Sequence, residues 1–90
     1  MANKTIKNLS VIGYNAEFEY AGATGTFSAS GEKKITQING FKEGVGNFDA
    51  NRAGDAMHYN PHFSDPSKAA DLVAVMTGAI EAIETELAAI

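Results

Sequence analysis

From residue 16 the chain alternates: Ala16, Phe18 and Tyr20 share one parity, and Glu17 and Glu19 share the other. A period of two puts these sets on opposite faces of an extended backbone, so the segment reads as a half-buried β-strand. The same reasoning predicts short strands over 26–29, with Phe27 and Ala29 facing together, and over 33–41, 45–50 and 55–59. Upstream, residues 5–12 are rich in β-formers, but Ile6 falls on one parity while Leu9 and Val11 fall on the other. A bulge near Lys7–Asn8, or burial of both faces, reconciles them. Ile35 and Ile38 also lie on opposite parities, which leaves that strand's register open. Turn signals separate these runs at Gly13–Asn15, 21–25, Ser30–Glu32 and Lys42–Gly44. Asn51–Arg52–Ala53–Gly54 reads as a four-residue hairpin loop.

After Phe63 the period changes. Asp65 suits a helix N-cap, and Pro66 suits the first helical position, where its missing N–H costs nothing. Beyond it, Ala69, Leu72, Val73, Val75, Met76, Ala79, Ile80, Ile83, Leu87 and Ile90 make one broad apolar stripe at helical spacing. A helix over 66–90 reaches about 37 Å, against about 17–20 Å for a typical strand, so it is expected to overhang its sheet. The predicted fold is α+β. An antiparallel meander of five or six short strands, within about residues 4–60, is packed by one long C-terminal helix, all in a single domain over 1–90.

Composition narrows the function. The chain is 44% hydrophobic and 20% charged, which places it with folded rather than disordered chains. It has no cysteine, so disulfides, thiolate chemistry and cysteine-based zinc sites are excluded. No run of 18 apolar residues exists, and no apolar stretch follows Met1–Thr5 in the manner of a signal peptide, so a cytoplasmic protein without membrane contact is expected. The net charge of −4 hides an asymmetry of +2 over residues 1–42 and −6 over 43–90. Lys33–Lys34 is the one adjacent basic pair, and nucleic-acid grooves need clustered cations, so direct nucleic-acid binding is disfavoured.

Candidate chemistry is sparse. Gly40–Gly46 is glycine-rich but lacks the Gly-Lys-Ser/Thr ending of a phosphate-binding loop. Asp49–Asp55 has the spacing of half a calcium loop, with Ala53 and Asn60 where oxygen ligands belong, and a hairpin turn explains it more simply. His58 and His62 are the only histidines. With Pro61 between them the segment is extended, which separates the rings by roughly 13 Å unless a turn gathers them with Asp65 into a metal site. Glu17/Glu19 and Glu81/Glu84 put carboxylates on common faces, but nothing in the pattern promises the burial that shifts a pKa for general acid–base work. No cofactor and no catalytic residue are expected.

Two features point to binding. Ala70, Ala74, Gly78 and Ala82 recur every four residues as a ridge of small side chains, and mid-helix glycine costs about 0.8–1.0 kcal/mol relative to alanine. Close approach of a second chain is one compensation. Aromatic and amide residues gather over 41–63, with Phe41, Phe48, Tyr59 and Phe63 as candidate partner-binding residues, or as core. The expected function is a small non-catalytic protein-interaction or oligomerisation module that self-associates through the C-terminal helix into a homodimer. The alternatives are an acidic inhibitor or decoy of a basic nucleic-acid-handling protein, in the style of mobile-element accessory proteins, and a metal-dependent protein centred on His58 and His62.

Overall fold

Tight turns between alternating segments leave each strand beside its predecessor, and the sheet follows chain order throughout. The computed structural model describes residues 6–7 and 16–89. Among these residues, six antiparallel strands lie in the order β1 (Ile6–Lys7), β2 (Ala16–Tyr20), β3 (Ala23–Ala29), β4 (Ile35–Lys42), β5 (Gly46–Ala53) and β6 (Ala56–Phe63). A 3-10 turn over Pro66–Lys68 leads into α1 (Ala69–Ala88), which packs on one face of the sheet. The result is an α+β slab measuring 37 × 35 × 16 Å. The remainder of the upstream segment, its bulge near Lys7–Asn8 and the turn at Gly13–Asn15 lie outside the described residues.

Two turns are tighter than their glycines suggest. The expected 21–25 turn is the two-residue Ala21–Gly22, both with positive φ, and Gly25 belongs to β3. The expected loop 51–54 is instead Gly54–Asp55, because Ala53 pairs with Ala56. Asn51 and Arg52 are therefore strand residues, and β6 runs on to Phe63 rather than stopping at Tyr59. Pro61 fits there because β6 is an edge strand, where a missing N–H costs no ladder bond.

The parity conflict in β4 is resolved by a bulge. The β3–β4 register shifts between Ser28, opposite Gln37, and Ala29, opposite Ile35. The extra residue brings Ile35 and Ile38 onto one face, and both are wholly buried. A bulge leaves backbone groups without ladder partners, and Ile35 recovers both from side chains. Its N–H donates to Glu84 Oε2 at 3.1 Å, and its carbonyl accepts from Arg52 Nε at 2.8 Å. Arg52 Nη2 also reaches Glu84 Oε2 at 2.9 Å, tying α1 to β4 and β5.

The sheet's centre is hollowed by glycine and filled by phenylalanine. One row across the sheet reads Phe18, Gly25, Gly40, Phe48. A Cβ on Gly40 would collide with the Phe48 ring. Phe18 and Phe48 lean over the glycines from either side, and their ring centroids come to 6.4 Å. Leu72, Met76, Ile83 and Leu87 of α1 complete this core. The predicted stripe is buried from Leu72 to Leu87 except at Val73, which is 41% exposed; Ala69 is half-buried, and Ile90 lies outside the described residues.

Gly78 is explained within the chain. A Cβ there would lie 2.6 Å from the Tyr20 hydroxyl oxygen and 2.9 Å from its ring, so the glycine makes room for a tyrosine of β2. The helix is thus attached along both flanks, by Tyr20 on one side and by Arg52–Glu84 on the other.

Candidate functional site

Because α1 covers one face only, the other face of the sheet is open among the described residues, and strand parity decides what it shows. Three polar rows cross it. The central row starts at Lys7 of β1 and runs on through Glu17, Thr26, Asn39, Asp49, Asn60. Beside it run Glu19, Thr24, Phe41, Asn47, His62 on one side and Ser28, Gln37, Asn51, His58 on the other. Phe41 is 54% exposed and stands as the aromatic member of these rows. Small side chains in β3 leave shallow hollows, one of about 390 Å³ by Glu17, Thr26, Gln37 and Asn39, and one of about 320 Å³ by Thr24, Asn39, Phe41 and Asn47.

The four candidate aromatics separate. Phe41 is on the open face, Phe48 is buried in the core and is not available to a partner, and Tyr59 and Phe63 are half-exposed on the helix side of β6. Val73 is eleven residues from Glu84, three helical turns and about 20°, so it lies on the flank of α1 that Glu84 turns toward β5. Tyr59, Phe63 and Val73 therefore expose apolar surface on the same side of the slab. The small-residue ridge winds away from that flank: Ala70 and Ala74 are exposed, whereas Gly78 and Ala82 are half-buried, Gly78 against Tyr20.

The histidines and Asp65 do not converge. His58 and His62 lie four residues apart on an extended strand, on the open face. His62 Nε2 is 4.0 Å from Asp49 Oδ2 across the β5–β6 ladder. Asp65 instead caps the 3-10 turn, its Oδ1 accepting from the Ser67 backbone N–H at 3.0 Å. That hydrogen bond, aided by the Ser67 side chain and by Lys68, holds the Asp65 carboxyl below its ordinary value of 3.8. Among the described residues no three His, Asp or Glu side chains gather as a metal site. The half calcium loop is also dispersed, since Asp49 points out of a strand and Asp55 sits in a two-residue turn.

What sequence reasoning passed over is the open face as a unit. Its signal was present as Gln37/Asn39, Asn47/Asp49/Asn51 and His58/Asn60/His62, polar residues at alternate positions of three successive strands. Recognising the array required the cross-strand register, which the bulge in β4 and the length of the β5–β6 loop determine. No helix among the described residues is long and apolar enough to cross a membrane. Comparisons with protein-family models, with curated proteins and with solved structures find no match to this chain.

Proposed function

We propose that the chain is a non-catalytic protein-interaction module that self-associates through the exposed flank of α1 and the neighbouring face of β6. The observation that carries this reading is the placement of exposed apolar bulk. Of the four large hydrophobic side chains exposed among the described residues, Tyr59, Phe63 and Val73 lie on the helix side of the slab. Ala70 and Ala74 add small, uncharged surface to the outer side of α1. A second copy suits this surface because apolar contact adds no like charge at its centre. The non-catalytic part is supported by the hollows, which are shallow and open, and by Asp65, whose displaced carboxyl serves a helix cap. A basic protein partner is the second reading, favoured by α1 itself, which carries no lysine or arginine of its own and exposes Asp71 and Glu81.

Sedimentation equilibrium tests the first reading. Wild type is expected to be a dimer in the micromolar range, and Val73→Glu and Ala74→Glu folded monomers. Gly78→Leu is unsuited, because its side chain would displace Tyr20 whether or not a dimer exists. A monomeric wild type, or a dimer indifferent to both substitutions, overturns the proposal.

A further inference from the structure

The open face differs in composition from an ordinary solvated strand surface. Asparagine is depleted in strands because its side chain competes for backbone hydrogen bonds and packs poorly on a pleated surface. Yet Asn39, Asn47, Asn51 and Asn60 stand at exposed strand positions on one face of β4–β6, with Gln37 beside them. Among the described residues these five amides form no side-chain hydrogen bond, so they add nothing to the fold that alternatives such as threonine would not. Each presents a carbonyl acceptor and a two-proton donor outward.

We infer that this face binds a neutral polyhydroxylated chain, a glycan, laid along the rows that cross the strands. Hydroxyl groups both donate and accept, as amides do, and Asp49 on the central row accepts from further hydroxyls. Phe41 supplies an apolar platform for the C–H face of a sugar ring beside the Thr24–Asn47 hollow. The central row, from Glu17 to Asn60, spans four strand spacings, about 19 Å, which accommodates several sugar rings end to end. Charge removes the competing ligands. From β2 to β6 the three rows carry three carboxylates and no lysine or arginine, and among the described residues the one cation in register with them is Lys7 of β1, opposite Glu17, so a phosphate or sulfate polymer finds no cluster of cations for counterion exchange. A protein interface would draw its affinity from clustered aromatics, methionine and arginine, and these rows offer Phe41 alone. The site is on the opposite face from the α1–β6 surface, so it stands or falls independently of self-association.

The test is affinity electrophoresis of the full chain in native gels containing a linear β-glucan, a xylan, a galactomannan or, as the anionic control, heparin. Retardation by at least one neutral polymer is expected, and by heparin none. The apparent affinity should fall roughly tenfold or more in Phe41→Ala and in the Asn39→Ala/Asn47→Ala pair. It should change little between about 0.05 and 0.5 M salt, and should survive Val73→Glu. All substituted side chains are exposed, and circular dichroism verifies that each variant is folded. Passage unhindered by every neutral polymer overturns the inference, as does retardation by heparin or binding indifferent to the open-face substitutions.

Discussion

Gly40 occupies the centre of the sheet, in a position where most strands would carry a branched side chain. Its role is set by Phe48, whose ring lies where a Cβ would be, and by Phe18, which meets that ring from the far side of the row. Adding one methyl group forces the ring outward into a core that α1 already fills, and overpacking of this kind costs about 1–3 kcal/mol. Gly40→Ala is therefore expected to lose that much stability in urea denaturation. The loss should shrink in a Phe48→Leu background, where the obstructing ring is gone. An equal loss in both backgrounds would place the cost in the backbone and not in the aromatic cover. Gly78 follows the same logic on the helix, where Tyr20 takes the space of the missing side chain. Read from the sequence, a mid-helix glycine points outward to a partner; in three dimensions a neighbour from β2, 58 residues earlier, already accounts for it.

Elements were legible in proportion to how locally they are determined. The helical segment was largely local: Asp65, Pro66 and the spacing of Leu72, Val75, Met76, Ala79 and Ile83 announce it and those five are buried, but Asp65 caps a 3-10 turn over Pro66–Lys68 and the α-helix begins three residues later than expected, at Ala69. The cap also makes a pH prediction. A carboxyl held below its ordinary value in the folded state contributes stability above pH 3.8, which is lost as pH falls through the folded pKa. Asp65→Ala should thus lower Tm at neutral pH, and the gap to wild type should close as the pH drops toward about 2. A gap of constant size across that range would mean the carboxylate is not the stabilising group. Strand β2 was equally legible, since its alternation matches its buried and exposed residues. Strands β4 to β6 were less so. Ile35 and Ile38 share a face only because of a bulge whose backbone is satisfied by Arg52 and Glu84, residues 17 and 49 positions away. Arg52, read as a loop residue, is a strand residue for the same long-range reason. The open face inherits this difficulty, because its rows exist only once four registers are known.

At the scale of the whole molecule, a slab 16 Å thin has little interior with which to hold its two layers together. The aliphatic contacts between α1 and the sheet favour burial without specifying direction, so the orientation of the helix depends on its lateral attachments. Tyr20 against Gly78 sets one flank, and the Arg52–Glu84 pair sets the other. The pair does more than an exposed ion pair, because each partner also serves the Ile35 backbone and both side chains are less than a third exposed. Arg52→Ala and Glu84→Ala are each expected to cost about 1–3 kcal/mol, since either one leaves a group of the bulge without its partner. The double substitution should cost much less than the sum, because the two residues act as one clamp. Additive losses in a double-mutant cycle would show that they act separately. The clamp also joins the two proposed surfaces, since it aligns the flank bearing Val73 with β5, whose opposite side carries Asn47, Asp49 and Asn51. Losing it should therefore weaken self-association, and because the same pair satisfies the β4 bulge that sets the open-face register, sedimentation equilibrium and affinity electrophoresis of Arg52→Ala should both report a loss.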